Sequence, residues 1–192
     1  MFAGMITNLG KEKQIDHMTG LYNRFEFEGS IKKYLMDGSQ ITRIGIMILD
    51  MDAFKNVNDL YDRMFGDEIL RITAGNISAM LPDNARLYRL DGDEFGIILT
   101  NGTEEDAQEI FSKIQNKYTR QQEYSGKKYY CTISGGYAVC PENADNYLDL
   151  LKCANYALER SKVKGKNRMT IYSPEIPPGE GEKNWKWCRC SE

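Results

Sequence analysis

Three short stretches carry residues that could hold a metal ion and phosphate groups. The first, D-M-D-A-F-K at 50–55, places Asp50 and Asp52 where an apolar strand gives way to a predicted helix. Alternate strand positions put both carboxylates on the same side, and ligand sites in open sheets gather just beyond strand ends. Phe54 and Lys55 follow at a helix start, whose free N–H groups suit phosphate. Two Asp residues that only cap this helix would give the same pattern, so both interpretations stay open.

The second stretch is D-G-D-E at 91–94, at the tip of a predicted hairpin. A solvated turn that uses Asp91-Gly92 for its positive φ is the simpler interpretation of this stretch alone. However, three acids within four residues repel one another, and a nearby divalent cation would relieve that repulsion. Asp50 and Asp93 on adjacent strands could bind the same Mg²⁺, with water and phosphate oxygens completing its shell.

The third stretch, E-R-S-K-V-K-G-K-N-R at 159–168, holds five cations in ten residues. Lys162 and Lys166 are i, i+4 neighbours if the predicted helix extends that far. Cations at a helix C-terminus also stabilise the helix dipole without any ligand, and that explanation is the stronger one for this stretch alone. Together, the three stretches indicate a metal–triphosphate site. Its chemistry would be phosphoryl or nucleotidyl transfer, in which the protein positions groups and neutralises charge.

Length and composition limit what else the chain could be. Its 192 residues, 41% hydrophobic and 28% charged, suit one globular domain with or without short appendages. The net charge of −3 provides no bulk basic field, which argues against nucleic-acid or membrane partners. No apolar run is long enough to span a membrane, and no secretory signal is visible, so we expect a cytoplasmic protein.

The cysteines and the single histidine narrow the choice of metal. The five cysteines are Cys131, Cys140, Cys153, Cys188 and Cys190. An odd number, with the first three inside predicted elements, favours reduced thiols, and the final Cys-x-Cys is only a weak metal signal. Because His17 is the only histidine, a metal would be held by carboxylates, which favours a hard cation such as Mg²⁺.

The elements that must position these residues follow from hydrophobic periodicity and turn signals. Strands are predicted at 41–52, 127–141 (interrupted by Gly-Gly) and 169–172, with a hairpin at 85–100 whose Asp-Gly favours a type I′ turn. Helices are predicted at 24–38, 53–61, 66–80, 103–118 and 146–165. Helix 66–80 has predicted buried positions that include Ile69 and Ile77. Helix 103–118 begins with a Thr103–Asp106 capping box.

Two helices have predicted buried faces that depend on the exact phase of the pattern. For helix 24–38 the apolar positions are Phe25, Ile31, Tyr34 and Leu35. For helix 146–165 they are Leu148, Leu151, Tyr156 and Leu158. A hairpin forces antiparallel pairing while helical crossovers allow parallel neighbours. The fold class is therefore α+β, or mixed α/β: a single central, mostly antiparallel sheet flanked by helices.

Five ordered motifs resemble those of the GGDEF domains, the diguanylate cyclases. DHMTGLYNR is similar to D-x-L-T-G-L-x-N-R, and DMDAFKNVND to D-x-D-x-F-K-x-x-N-D. FGDEIL is similar to G-D-x-x-L, DGDEF to the signature itself, and ALERSKVKGKNR to A-L-Y-x-A-K-x-x-G-R-N. The resemblance covers 16–172 and implies a palm-like domain, as in class III nucleotidyl cyclases. Residues 1–15 would then be the end of a linker or signalling helix, and 173–192 a flexible tail or linker.

The resemblance implies a bacterial signalling activity. Two GTP-loaded domains of a homodimer would face each other and join two GTP molecules into cyclic di-GMP, with Mg²⁺ or Mn²⁺ as cofactor. The full-length protein could also carry sensor and phosphodiesterase domains.

Roles for individual residues are carried over from the same motifs. The resemblance implies a metal site formed by Asp50, Met51 and Asp93. It makes Asp50, Asp93 and Glu94 catalytic, with Glu94 assisting at the reacting phosphate or 3′-hydroxyl. The implied substrate-binding residues are Phe54, Lys55, Asn58, Asp67, Gly92, Lys162 and Lys166. Among them, Asn58 and Asp67 match the guanine-reading pair, because a carboxylate accepts two N–H donors from guanine.

Four departures from the family pattern bear on activity. The inhibitory R-x-x-D is replaced by Pro82-Asp83-Asn84-Ala85, which predicts that this product feedback is absent. Tyr61-Asp62-Arg63 stands where Tyr-Gly-His is usual, and Lys166 replaces an Arg and so loses a bidentate fork. Asp91 replaces the first signature glycine and adds bulk and negative charge beside a triphosphate. Two hypotheses follow: a weakened cyclase, or a non-catalytic GTP-binding regulatory module.

Overall fold

The computed structural model describes residues 14–36 and 41–174, and all structural statements concern those residues. Their strands are β1 Tyr22–Asn23, β2 Ile44–Met51, β3 Ala85–Asp91, β4 Glu94–Thr100, β5 Gln122–Tyr124, β6 Lys127–Tyr129, β7 Ile133–Cys140 and β8 Met169–Ile171. Their helices are α1 Arg24–Met36, α2 Phe54–Leu60, α3 Arg63–Ser78, α4 Glu104–Tyr118 and α5 Tyr147–Val163. The predicted helix end before residue 14, Gly38, and the tail with Cys188 and Cys190 lie outside the described residues.

One six-stranded sheet in the order β1-β3-β4-β2-β7-β8 forms the centre of the domain. The three inner pairings, β3–β4, β4–β2 and β2–β7, are antiparallel, and the two outer ones, β1–β3 and β7–β8, are parallel. Strands β5 and β6 form a separate small hairpin. The predicted α+β class with a mostly antiparallel sheet is confirmed. No helix within the described ranges combines the length and apolar character that a membrane crossing requires.

Strand β2 is buried on both faces, as its continuous apolar sequence predicts. Met47, Leu49 and Met51 lie in the core on the side of α3 and α4. Ile46 and Ile48 lie in the core on the opposite side, with α1 and α5. Because β2 is locked between two strands and two helical layers, its C-terminal end is a rigid support for whatever follows it.

The predicted buried faces of two helices are confirmed at most positions and wrong at one position each. Ile31, Tyr156 and Leu158 are buried as predicted. Phe25 is 71% exposed and Leu148 63% exposed, whereas Phe27 and Leu150 are fully buried. Both helices carry more apolar residues than one face can bury, so the sequence pattern alone did not fix which turn of the helix meets the sheet. This error does not concern the end of β2, where Met51 is buried.

The predicted strand 127–141 is two strands in different sheets. Lys127–Tyr129 pairs with β5, and Ile133–Cys140 joins the main sheet. The Gly-Gly pair does not interrupt β7 but lies inside it. A Cβ on Gly136 would lie 2.2 Å from the Ala154 carbonyl oxygen and the Leu158 nitrogen, so the glycine lets α5 pack directly on the strand.

Helix boundaries also depart from prediction at two places that matter for the site. Helix α3 begins at Arg63 rather than 66, because the Asp62 side chain accepts a hydrogen bond from the Phe65 N–H at 2.7 Å and caps the helix. Helix α5 ends at Val163, so Lys162 and Lys166 are not i, i+4 partners. The Thr103–Asp106 capping box of α4 is confirmed.

Candidate functional site

The predicted metal residues meet at one edge of the sheet. Asp50, near the end of β2, lies directly opposite Glu94, the first residue of β4. The Met51 N–H donates to the Asp93 carbonyl oxygen at 3.3 Å, which ties the hairpin tip to the end of β2. The antiparallel register therefore gathers Asp50, Met51, Asp93 and Glu94, residues that lie about 43 positions apart in sequence.

Lys162 reaches this edge from the last turn of α5. Its Nζ lies 3.1 Å from Asp50 Oδ2, with the two side chains 27% and 17% exposed. Burial raises the pKa of Asp50 above its ordinary value; Lys162 opposes the rise, and the charges of Asp93 and Asp52 add to it. Burial lowers the pKa of Lys162, but its bond to Asp50 outweighs this and the net direction is upward. Lys162, which was expected to bind phosphate, thus forms an ion pair with the Asp50 carboxylate in this structure.

Glu94 is the second acid with a perturbed pKa. Burial is the largest cause that raises the pKa of Glu94, and the Asp50 charge raises it further. The charges of Arg24 and Lys162 oppose this rise. The Arg24 guanidinium lies 3.5 Å from the Glu94 carboxylate, and both side chains are partly exposed. Asp91 contributes a further upward push on the pKa of Glu94. Two carboxylates facing each other with raised pKa values are typical of a functional site rather than a stabilising ion pair.

Asp91 is exposed, and its carboxylate folds back onto its own turn. Its Oδ1 accepts a hydrogen bond from the Gly92 N–H at 2.9 Å. Gly92 has φ +39, whereas neither Asp91 nor Asp93 has positive φ. The type I′ turn prediction was therefore wrong, since that turn needs positive φ at both central residues. The pairing of β3 with β4 shifts register between Arg89 and Asp91, and Asp91 pairs with Glu94. The prediction had assumed a regular hairpin with Asp91 and Gly92 at the two central turn positions.

The residues expected to read guanine lie on α2 and α3. Asn58 Oδ1 is buried and has no hydrogen-bond partner among the described residues. It rests against Gly66, where an added Cβ would lie only 1.8 Å from that oxygen. Gly66 is followed by the half-buried Asp67, so the close helix contact brings the amide of Asn58 next to the backbone that carries Asp67. Buried acceptors are rarely left unpaired, which makes this oxygen a candidate ligand contact.

The remaining predicted substrate residues are less tightly organised. Phe54 is buried in the core beneath Gly66. Lys55 and Lys166 are exposed, and within the described ranges neither side chain forms an ion pair with the Asp50–Glu94 edge. Of the predicted phosphate cations, the structure brings only Lys162 into contact with the acids.

Asp52 differs from Asp50 although the sequence treats the two alike. Its carboxylate is buried, at 5% exposure, and accepts hydrogen bonds from the Thr132 and Ser134 hydroxyls at 2.7 and 2.8 Å. The competing interpretation, helix capping, was also wrong: Ala53 is the N-cap residue of α2, and no side chain caps it. The Asp52 carboxylate therefore lies in the interior of the protein, whereas Asp50 lies at the sheet edge where the predicted metal residues meet.

Sequence reasoning gave no role to the arginines that brace the hairpin. Arg89 is buried, bonds to the Gly92 carbonyl, and lies 3.4 Å from the Asp16 carboxylate. Arg24 Nε donates to the Leu90 carbonyl at 3.4 Å. The signature hairpin is thus anchored to the DHMTGLYNR stretch. An arginine at an inward position of an apolar strand was the available signal for Arg89, because a buried charge needs a partner.

Comparison with known proteins agrees with this geometry. The family model described as "Diguanylate cyclase, GGDEF domain" matches residues 13–168. The chain is 28% identical over 170 residues to "Cyclic di-GMP phosphodiesterase PdeR" of Escherichia coli, covering 88% of this chain and 26% of that protein. It is also 28% identical over 168 residues to "Diguanylate cyclase VdcA" of Vibrio cholerae, covering 85% and 48%. The chain thus spans about half or less of the length of these two relatives.

A solved structure gives the same result for the fold. The GGDEF domain of PA1120 (TpbB or YfiN) from Pseudomonas aeruginosa superimposes with a TM-score of 0.76 at 28% identity. The superposition covers 83% of this chain and 94% of the other. The family model covers most of the sequence, and all five motifs fall within the residues that it matches, 13–168. The chain belongs to the GGDEF domain family.

Proposed function

We propose that the domain is a diguanylate cyclase that condenses two GTP molecules into cyclic di-GMP, with activity weakened by Asp91. The observation that carries the proposal is the edge where Asp50 faces Glu94 across the sheet and Lys162 lies 3.1 Å from Asp50. Acids kept close together with raised pKa values suit a site that a metal and a phosphate chain would neutralise.

The metal donors would be the carboxylates of Asp50 and Asp93 and the carbonyl of Met51. Within the described ranges, no three His, Cys, Asp or Glu side chains form a metal site by themselves. A shell completed by phosphate oxygens and water is therefore required, and an all-oxygen donor set fits Mg²⁺ or Mn²⁺. The bound ion would supply charge neutralisation at the reacting phosphate.

Guanine would bind between α2 and α3. The buried Asn58 Oδ1 offers an unpaired acceptor, and Asp67 offers a carboxylate one residue beyond Gly66. Together these acceptors suit the N–H donors on the guanine edge, which adenine does not present in the same pattern. Phe54 and Gly92 would line the nucleotide, and Lys55, Lys162 and Lys166 would face the triphosphate.

The reaction needs two such domains because each active site holds one GTP. In a homodimer, the 3′-oxygen of each GTP forms a bond to the α-phosphorus of the other, and each α-phosphorus releases pyrophosphate. Glu94 would assist at the attacking hydroxyl or the reacting phosphate, and its raised pKa is consistent with a role in proton transfer. The boundaries we propose for this domain are 16–172, between a linker ending at 15 and a tail from 173.

A non-catalytic GTP-binding regulatory module is the second candidate, favoured by one observation. Asp91 adds a carboxylate at the signature hairpin, and its charge already acts on Glu94. Sensor or phosphodiesterase domains in a longer protein would be its partners, in keeping with the name of the relative PdeR. In this version the site would bind GTP as a signal instead of converting it.

Calorimetry and product analysis separate the two candidates. We expect Mg²⁺-dependent GTP binding that is lost in Asp50→Ala; absence of heat from the wild-type protein at high concentration contradicts both. Incubation with GTP and Mg²⁺, followed by chromatography, should yield cyclic di-GMP, with more from Asp91→Gly. Glu105→Gln removes an acidic charge on α4 instead and serves as the control. No product from either protein, even when dimerisation is enforced, with GTP still bound, supports the regulatory module.

A further inference from the structure

Asp52 joins three segments of the site from inside the protein. Its carboxylate accepts the Thr132 and Ser134 hydroxyls and also the Asn167 N–H, the last at 3.1 Å. The Asp52 N–H in turn donates to the Thr132 carbonyl at 2.8 Å. A buried carboxylate is costly unless its oxygens accept hydrogen bonds, and here three donors meet that need, with the single Ser134 hydroxyl lying near both carboxylate oxygens.

The loop that carries Lys166 has a backbone that needs such support. Gly165, Lys166 and Asn167 have φ values of +105, +62 and +48 in succession. Residues other than glycine rarely adopt this left-handed conformation, and they persist in it only where surrounding contacts fix them. Successive peptide N–H groups in such a turn form a concave site for an anion, and the Asp52 carboxylate accepts from one of them.

Further contacts hold the same loop from its other side. The Asn167 N–H also lies 3.1 Å from Ser134 Oγ, and the Asn167 carbonyl accepts from Gln115 Nε2 at 2.5 Å. The Lys166 N–H donates to the Ser161 carbonyl at 3.0 Å. Because Ser134 lies directly opposite Asp50 in the β2–β7 pairing, the loop is fastened beside the strand that carries the metal acid.

Asp52 also sets the start of the helix with the nucleotide-facing residues. Ala53, the next residue, has φ +59 and turns the chain from β2 into α2. The carbonyl of Asp52 accepts from the Cys131 thiol at 3.3 Å, so both its backbone N–H and its backbone carbonyl are hydrogen-bonded. One buried residue therefore stands between Asp50, the loop of Lys166 and the helix of Asn58.

We propose that Asp52 is a positioning residue: it fixes the Lys166 loop at a set distance from the Asp50 edge, so that cations and metal acids can bind one triphosphate together. This inference rests on the proposed GTP site. A network that served only stability would leave the nucleotide affinity of the folded protein unchanged. Positioning couples the loop to GTP, and this difference can be measured.

The test compares Asp52→Ala and Asp52→Asn with wild type in Mg²⁺–GTP titrations, below the unfolding transition of each variant. We expect Asp52→Ala to weaken GTP binding by about tenfold or more, because the Asn167 N–H loses a charged acceptor. Asp52→Asn keeps one carbonyl acceptor and should restore affinity to within about threefold. Ile110→Ala removes a buried side chain of α4 that makes none of the loop's hydrogen bonds, so it should lower stability and leave affinity unchanged.

A second measurement needs no nucleotide. Hydrogen exchange at the Asn167 amide should be about tenfold faster in Asp52→Ala and unchanged in Ile110→Ala. If wild type fails to bind GTP, the proposed function is wrong, and the exchange rates alone then decide whether Asp52 fixes the loop. Equal exchange in wild type and Asp52→Ala, or wild-type GTP affinity in the folded variant, overturns the inference.

Ser134→Ala keeps the inference testable if Asp52→Ala does not fold. It removes the hydroxyl that bonds both Asp52 and the Asn167 N–H. We expect GTP binding about threefold weaker and faster exchange at Asn167. A folded Ser134→Ala protein with wild-type affinity and wild-type exchange contradicts the inference.

Discussion

The acidic side chains near the two ends of strand β2 have pKa values shifted in opposite directions. At its N-terminal end, Arg43 Nε lies 2.6 Å from Glu142, and although burial alone would raise the pKa of Glu142, the Arg43 bond brings it below its ordinary value. At its C-terminal end, Asp50 and Glu94 face each other, and burial raises the pKa of both. The same strand thus has one end where ionised acids favour the fold and one where they oppose it.

This difference separates stabilising charges from functional ones. A carboxylate with a lowered pKa stabilises the folded state in its ionised form, whereas one with a raised pKa costs stability when ionised. Proteins keep the second kind where a ligand will compensate for the cost. The C-terminal end of β2 is therefore the place to expect a cationic ligand, and the N-terminal end is not.

The largest expected effect comes from Asp50→Asn. GTP and Mg²⁺ binding should fall about a hundredfold or more, the scale at which single positioned charges act in active sites. Stability should change little, because relief from the buried Asp50 charge is set against the loss of its ion pair with Lys162. Because the pKa of Asp50 is raised in the folded state, its neutral form stabilises the fold below pH 3.8, the ordinary pKa value. This stabilisation is lost as the pH rises through the folded-state pKa. A neutral Asn avoids that loss, and calorimetry with thermal unfolding at neutral pH measures both effects.

The matched variant at the other end is Glu142→Gln. It should leave GTP binding unchanged and lower stability by no more than about 1 kcal/mol, because the Arg43–Glu142 pair is partly exposed and screened. Opposite outcomes, with binding lost in Glu142→Gln or stability clearly lost in Asp50→Asn, would remove the distinction between the two ends.

The next largest effect tests the proposed guanine-binding role of α2 and α3 with two glycines of α3. In Gly66→Ala the new Cβ would lie 1.8 Å from Asn58 Oδ1, so we expect the amide to be displaced and GTP binding to weaken about tenfold or more. Gly75→Ala is the control, since nothing lies within 4 Å of its added Cβ. It should raise helix stability by about 0.5–1 kcal/mol without changing affinity. Equal affinities for GTP in the two variants would contradict the role given to Asn58.

A smaller effect is expected at Asp62, which replaces the glycine usual in the family. Its side chain caps α3 at Phe65, so Asp62→Ala should cost about 1 kcal/mol in urea unfolding. Asp62→Ser keeps a capping oxygen and should lose much less. Affinity for GTP should change less than in Gly66→Ala, because the cap fixes the start of the helix and not the Asn58 contact. A loss in Asp62→Ser as large as in Asp62→Ala would show that capping is not its role.

The sequence predicts this fold well where the pattern is local. The buried strand β2, the hairpin of β3 and β4, and the Thr103–Asp106 capping box all depend on neighbouring residues, and the structure confirms them. The strand predicted at 127–141 failed because its first part pairs with the neighbouring β5 and its second part with the distant β2. Hydrophobic pattern identifies strands but does not identify the strand beside which each will lie.

The candidate site shows the same limit in its polar residues. Asp50 and Asp52 are two positions apart and look equivalent, yet tertiary contacts give one to the edge and the other to the interior. The end of α5 at Val163 could not be predicted either, because the left-handed residue Asn167 donates to Asp52, an acceptor far away in sequence. Motif resemblance predicted the candidate site, whereas the different surroundings of Asp50 and Asp52 are visible only in the three-dimensional contacts.

The smallest expected effect is the pH dependence of the α4 cap, because the charge of Arg43, at the N-terminal end of β2, also lowers the pKa of Asp106. The Thr103 N–H donates to Asp106 Oδ2 at 2.8 Å, and this bond is the main cause that lowers the pKa of Asp106 below 3.8. A lowered pKa gives stability that is present above the ordinary value and is lost as pH falls through the folded-state pKa. Asp106→Ala should therefore unfold at slightly lower urea concentration than wild type at neutral pH, and the difference should shrink as the pH falls below 3.8.

Urea midpoints from about pH 7 to about pH 3 measure that difference. Glu105→Ala, the neighbouring first-turn acid, is the control, and its small effect should depend on salt because it acts only through the helix dipole. The Asp106 difference should resist salt, since it comes from a direct hydrogen bond. If it persists unchanged at the acid end of the range, the ionised carboxylate is not what stabilises the cap. The N-terminal end of β2 would then lose one of the two acids that distinguish it from the site.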